Sequence, residues 1–370
     1  MKSSTALRVP VVLAVCALAL LRPAAAADPV KLVVGYQPYD TISYSAVVIR
    51  ALELWKKHLP PGSEVEFQNA LQGSIIVNNM LANKQQIGYL GDMPAVVATT
   101  KRSVAPINLV ANTGMSPGQR CNVIMVRADA PKFASPADAI QWIDGKTIAT
   151  PQGSCAHRFL GLVIEKTKIK PAAILNQSIE VIATNLRAGK IDAAVLWEPS
   201  VSRIGDLVGE GSARIVATGH TFGIADAGAI AMREDFMKQR PDIVEAWLRT
   251  ELEAQQYVIE PKNWTRVAEF VKAQTAGITV PMAWFSIYGA IPPAAGGSPV
   301  RDEKPFVFDE RVRKLLAETY VYLHQAKAID VDKPAAGALD DSFARKVAAG
   351  AKAALPLGVI KAQDASKMPK

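Results

Sequence analysis

Apolar residues recur along this chain in short blocks, spaced two apart in some and three or four apart in others, and the alternation of the two spacings predicts an α/β protein. Val30 to Tyr36 is a compact apolar run that Gln37-Pro38-Tyr39-Asp40 breaks. Ser43 then opens a segment whose Val48, Leu52, Trp55 and Leu59 follow helical spacing, and Pro60-Pro61-Gly62 closes it. Val65 and Phe67 alternate in a strand from Glu64 to Ala70, a helix runs from Ile75 to Asn83, and Gln86 to Leu90 reads as a third strand. The order β-α-β-α-β predicts a parallel sheet.

A strand from Ile107 to Ala111 is followed by Asn112 to Gln119, rich in Gly, Ser and Pro, which reads as a crossover into a second lobe. That lobe holds strands at Asn122–Arg127, Thr147–Thr150, Glu180–Ala183, Ile191–Trp197 and Ala213–Thr218, with helices between them. Gly219 to Gly228 reads as a second crossover, returning the chain to the first lobe through Ala229–Arg233. Beyond Asp235 the spacing is helical, as in Ile243, Val244, Trp247 and Leu248, apart from a Pro/Gly-rich loop at Ile291–Pro305. The boundaries that follow are a leader at 1–27, a first lobe at 28–115, a second lobe at 116–222, a helical return to the first lobe at 223–350, and a frayed tail at 351–370.

Composition agrees with two packed lobes: 370 residues exceed a typical single domain, and 49% apolar with 21% charged residues excludes wholesale disorder. The leader has a basic start in Lys2 and Arg8, an apolar run from Val9 to Leu21 broken only by Pro10, and small residues at Ala24–Ala27. This is the layout of a cleaved secretory signal, too short to span a bilayer, and it predicts a periplasmic protein. Cys16 raises a lipoprotein anchor, but Val15 before it and the continuing apolar run favour simple cleavage. Cys121 and Cys155 then remain. An isolated pair in an oxidising compartment is expected to bridge, the alternative being a reactive thiol at a helix start. The net charge of +8 becomes +5 without Lys2, Arg8 and Arg22, and it is spread along the chain with no basic run interleaved with aromatics, which argues against nucleic acid.

The chemistry lies at two strand-to-helix turns. In Lys146–Leu160 a β-branched run stops at Pro151, and Gly153 allows a close approach of the backbone to a guest. Ser154 is a favoured N-cap, and the free amides and positive dipole end of the new helix make a seat for an anion. Gln72-Gly73-Ser74 repeats the arrangement in the first lobe. Leu81–Pro94 and Leu186–Pro199 also match, each running from a helix end through a small turn into an apolar strand that stops at a proline. One such motif is an ordinary α/β loop; two in register in each lobe carry the functional reading. Tyr36 and Gln37 sit at the carboxyl end of the first strand, where open α/β sheets bind ligands. Asp92 caps the helix that Pro94 begins or faces the ligand, and Trp197 with Glu198 ends a strand beside the cleft.

No nucleophile elbow, Walker loop, dinucleotide fingerprint or zinc-protease motif occurs, and His58, His157, His220 and His324 stand alone, so neither a metal site nor a cofactor is expected. Ser154 and His157 share a helix face without the third member of a triad.

These residues resemble the nitrate/sulfonate/taurine class of ABC-transporter solute-binding proteins, a group that shares its fold with THI5-like pyrimidine enzymes. The resemblance spans about Leu32 to Glu260 and rests on the QGS helix start, Gly91-Asp92-Met93-Pro94, the Asp144–His157 segment and Ala188–Pro199. It implies two doubly wound lobes joined by two crossovers, the type II periplasmic binding fold, with the ligand between them. By similarity Tyr36 and Gln37 line the cleft, Gln72, Gly73 and Ser74 offer donors over a floor of Asp92 and Pro94, and Gly153, Ser154 and His157 face them. Trp197 and Glu198 close the side. The GDMP segment is nearer the sulfonate branch than the nitrate branch, while Cys155 and the insert after Ile291 depart from the family. The implied function is capture of a small anion or zwitterion, sulfonate- or taurine-like before nitrate-like, by a monomer that serves an ABC permease. Asp92 or Glu198 would meet an amino group. The alternatives are a THI5-like pyrimidine-related enzyme and a binding protein that feeds a sensor.

Overall fold

The computed structural model describes residues 28–205, 211 and 213–370, so the expected leader at 1–27 lies outside the described residues. The first part of lobe 1 holds β1 (Lys31–Tyr36), α1 (Tyr44–Leu52), β2 (Glu64–Asn69), α2 (Gly73–Leu81), β3 (Ile87–Gly91), α3 (Asp92–Thr100) and β4 (Ile107–Ser116). Lobe 2 follows with β5 (Val123–Arg127), α4 (Pro136–Ile143), β6 (Thr147–Thr150), α5 (Cys155–Thr167), β7 (Ala173–Asn176), α6 (Ile179–Arg187), β8 (Ala193–Leu196), α7 (Ser200–Ile204), β9 (Ala213–Thr218) and α8 (Gly219–Phe222). The chain then re-enters lobe 1 with β10 (Asp226–Arg233), α9 (Glu234–Gln239), α10 (Pro241–Ile259), α11 (Trp264–Gln274), α12 (Val280–Tyr288), β11 (Val300–Lys304), α13 (Glu310–Gln325), α14 (Ser342–Gly350) and β12 (Gly358–Lys361).

Two sheets result, ordered β12-β11-β4-β10-β3-β1-β2 and β7-β6-β8-β5-β9. The βαβ units pair in parallel, as in Val34 opposite Phe67 and Ile148 opposite Ile174. The strands that follow each passage between lobes, β10 and β5, pair antiparallel with both their neighbours. Helices cover both faces, so central strands such as β3 and β8 are buried along their whole length rather than on alternate residues.

The chain passes between the sheets twice, at 117–122 and at 223–225, and the two passages are bonded together. The Gly219 amide donates to the Gly118 carbonyl at 2.8 Å, and the Asn122 side-chain amide donates to the Ile224 and Ala225 carbonyls. Arg120 lies fully buried here, with 3.1 Å to Asp226 and 3.2 Å to Asp302, and Lys304 meets Asp302 at 2.6 Å. Burial alone would lower the Arg120 pKa, and the flanking carboxylates of Asp302 and Asp226 raise it instead.

Four expectations are corrected. Asn112–Ser116 is not crossover, because β4 continues through it and pairs with β10 as far as Ser116 opposite Asp226. Glu180–Ala183 is helical: Ile179, Ile182 and Leu186 follow the helical period on the buried side of α6, and the preceding strand is the half-exposed β7. Part of Ile291–Pro305 is strand β11, whose Val-Arg-Asp-Glu-Lys sequence carries no apolar signal, since ion pairs accompany its burial. The frayed tail is corrected as well. β12 pairs antiparallel with β11, and Ile360 is buried, because an edge strand needs few side chains of its own when a neighbour supplies the ladder.

Candidate functional site

A pocket between the lobes gathers residues that follow the carboxyl ends of β1, β2, β3, β6 and β8. It has about 360 Å³ of empty space counted out to its mouth and is narrow within. Eight of the expected residues line it: Gln37, Gln72, Gly73, Ser74, Pro94, Gly153, Ser154 and Trp197.

The two Gln-Gly-Ser turns are not equivalent. In lobe 1 Gln72 takes the N-cap position without capping through its side chain, so Gly73 and Ser74 are the first two residues of α2 and the Ser74 side chain stays exposed. Gly73 packs against α3, where an added Cβ would fall 2.5 Å from Pro94 Cγ; the close seating of the two helix starts requires glycine. In lobe 2 the frame shifts by two residues. Ser154 is the N-cap, its Oγ accepting from the His157 amide at 3.2 Å and donating to the Pro151 carbonyl at 2.7 Å. The expected Ser154 hydroxyl donor is therefore already spent, and the seat on this side is made by the first amides of α5, which have no intrahelical acceptor. Gly153 has φ +77°, left-handed backbone that glycine adopts freely.

The wall is Trp197, whose ring Nε1–H donates to the Tyr39 carbonyl at 3.1 Å and is thereby fixed against the loop after β1. That loop is bonded further to lobe 2 by Thr41 N–H donating to the Glu198 carbonyl at 3.2 Å.

Four expected residues do not line the pocket. Tyr36 points the opposite way from Gln37, as neighbours on a strand do, and its hydroxyl bonds Gln274 at 2.8 Å and Arg50 at 2.5 Å. Asp92 is the first residue of α3 rather than its cap; Oδ2 meets Arg158 of α5 at 2.7 Å and Oδ1 accepts from the Met93 amide, so it clasps the lobes together. His157 is partly buried, accepts from the Gly153 amide at 3.4 Å, and has its pKa lowered by burial. Glu198 is fully buried behind the wall, accepting from the Ser202 amide and hydroxyl at 2.9 and 2.7 Å and lying 3.8 Å from Arg301. Burial raises its pKa, opposed by Arg301 and the Ser202 bonds. Neither acid can hold an amino group in the cleft.

Asp40, Gly91, Gln152 and Cys155 also line the pocket, outside the expected set of ligand-binding residues. Gln152 is the first residue of the second Gln-Gly-Ser turn and could have been read by analogy with Gln72. Cys155 is joined to Cys121, Cα to Cα 6.1 Å, which bolts the start of α5 to the first passage between lobes. Asp40 is the one ionisable side chain among the lining residues. It is buried, Oδ1 accepts from the Ile42 amide at 3.1 Å, and burial pushes its pKa up to about 7 against the pull of that amide and of Arg120. Among the described residues no cation lines the pocket. Among the described residues no group of three or more His, Cys, Asp or Glu is placed to hold a metal ion.

Residues 62–263, more than half the chain, match the family model described as NMT1/THI5 like. The chain is 27% identical over 261 residues to the taurine-binding periplasmic protein of Escherichia coli (strain K12), covering 68% of this chain and 75% of that one. Among solved structures it resembles the alkanesulfonate-binding protein SsuA from Xanthomonas axonopodis pv. citri bound to MOPS, with TM-score 0.66, 20% identity, and coverage of 85% of this chain and 99% of that one. The periplasmic nitrate-binding protein NrtA from Synechocystis PCC 6803 gives TM-score 0.65 at 13% identity, covering 88% and 90%. The likenesses to solved structures concern the fold, two α/β lobes about a shared cleft. With that architecture and the family match over more than half its length, the chain belongs to the NMT1/THI5-like family.

Proposed function

We propose that this protein is an extracytoplasmic solute-binding protein that captures a small organic anion or zwitterion, sulfonate- or taurine-like ahead of nitrate-like, and delivers it to an ABC permease. The observation that carries this reading is that the starts of α2 and α5, from different sheets, line one narrow pocket with no cation in its lining. Amides and side-chain carboxamides can hold an anion without a lysine or arginine, which keeps release easy. The taurine-binding relative supports the same ligand class. Catalysis is the weaker reading, since Cys155 is bonded to Cys121 and Ser154 caps a helix, which leaves neither as a nucleophile. Export by the leader and action as a monomer complete the proposal.

Thermal unfolding of the mature protein with taurine, ethanesulfonate, nitrate and a pyrimidine tests it. A ligand present at about a hundred times its Kd adds about 2.7 kcal/mol of apparent stability. A rise with taurine or ethanesulfonate is the expected result. A response confined to the pyrimidine, or to none of the four, would overturn the proposal.

A further inference from the structure

The floor of the cleft and the two passages between the lobes contain an unbalanced set of buried charges. Among the described residues four cations lie there at 3% exposure or less: Arg120, Arg158, Arg301 and Lys304. Each is matched with an acid, Arg120 with Asp226 and Asp302, Lys304 with Asp302, Arg158 with Asp92, and Arg301 with Glu198. Asp40 is a fifth acid, and among the described residues no cation lies within salt-bridge distance of it. Glu251, also buried without a partner cation, accepts from Tyr89 at 2.7 Å and Gln255 at 2.8 Å and does not line the pocket. Asp40 does line it, and only Oδ1 receives a protein hydrogen bond.

A buried carboxylate without a cation is costly, and in a pocket built to hold an anion it also repels the guest. Both problems vanish if the guest brings its own positive group. From this juxtaposition of the leftover acid with the two helix starts, we infer that Asp40 is the specificity-determining residue of the cleft, selecting a zwitterion with an ammonium group over the plain anion of the same skeleton. The inference rests on the proposed binding function and names its substrate class more narrowly. Asp40, and not Asp92 or Glu198, receives the ammonium.

The charged groups around Asp40 agree with this. Arg120 attracts it from the first passage between lobes but is shared by Asp226 and Asp302, while Asp226 of β10 and Asp92 of α3 repel it. Arg158 of α5 is taken by Asp92, and Arg301 of β11 faces Glu198, whose carbonyl accepts from Thr41 beside Asp40. Selection should therefore depend on pH. With a pKa near 7, Asp40 is charged above that value and favours the zwitterion; below it, the neutral acid no longer repels a plain anion.

Calorimetry with taurine and ethanesulfonate, which differ by the amino group, tests this on the wild type and Asp40→Asn. Asn retains an oxygen for the Ile42 amide, and circular dichroism checks its fold. The wild type is expected to prefer taurine by at least about tenfold, and Asp40→Asn to lose that preference by weakening taurine and strengthening ethanesulfonate. Should the variant not fold, the wild type alone decides. Its preference should shrink between about pH 8 and about pH 5.5, where both probes keep their charge. Wild type that binds ethanesulfonate as tightly as taurine, or a preference unmoved by Asp40→Asn and by pH, overturns the inference and leaves the binding function standing. Binding of neither probe overturns both.

Discussion

At the scale of single residues, what a side chain does in this cleft depends on whether its polar atoms are already used. Ser154 caps α5 through its acceptor and gives its donor to the Pro151 carbonyl, so Ser154→Ala is expected to cost about 1 kcal/mol of stability and to weaken anion binding by loosening the helix start, measured by urea midpoint and calorimetry. Gly153→Val forces a β-branched residue into left-handed backbone and should weaken binding while the fold survives, checked by circular dichroism alongside the binding assay. Asp40 carries a stability prediction with a definite sign. Its folded pKa of about 7 lies above the unfolded value of 3.8, so its contribution is whole below about pH 4 and is lost as pH rises through 7. Urea midpoints of the free protein at pH 5 and pH 8 should show Asp40→Asn gaining on the wild type at the higher pH, by about 2.5 kcal/mol at most. The residue types of the site could be read along the chain, since a Gly-Ser step after a strand announces amides. Which hydroxyl stays free could not. A two-residue shift in helix start, with Gly73 already inside α2 and seated on Pro94 while Ser154 caps α5, separates Ser74 from Ser154.

At the scale of elements, β11 and β12 show where a periodicity argument loses contact with structure. β11 buries Arg301, Asp302 and Lys304 because each is paired, Arg301 with Glu198, Asp302 with Arg120 and Lys304 with Asp302 of the same strand, and a strand made of paired charges looks like a loop to any hydrophobicity rule. Cutting the chain after Gly350 removes β12 and bares the β11 edge; melting temperature and light scattering should show a less stable and more association-prone protein. The helix start of α5 depends on a neighbour in the same way. Reducing the Cys121–Cys155 bond, or replacing both cysteines by serine, should lower stability by about 2–4 kcal/mol and reduce affinity for the bound anion, because α5 is then no longer tied to the first passage between lobes. Affinity unchanged on reduction would show that the packing of α5 alone holds the seat.

At the scale of the whole molecule, buried contacts hold the lobes across the cleft, among them the Asp92–Arg158 and Arg301–Glu198 pairs, the Trp197 bond to Tyr39 and the Thr41 bond to Glu198. Asp92→Asn would leave Arg158 buried without its charge partner, a loss of about 3–5 kcal/mol that opening of the lobes relieves by hydrating the guanidinium. Small-angle scattering should then give a larger radius of gyration and calorimetry a weaker ligand, whereas an unchanged radius would mean that the pair does not hold the lobes together. By itself the sequence determined the α/β class, the two lobes, the two passages between them and the pair of helix starts, because backbone periodicity and turn chemistry are local and survive without neighbours. The tertiary structure alone decided which acids became partners of arginine, which one was left facing the pocket, and how charged strands came to be buried. Those outcomes follow from charge balance among residues far apart in the chain, and that balance exists only once the lobes are packed.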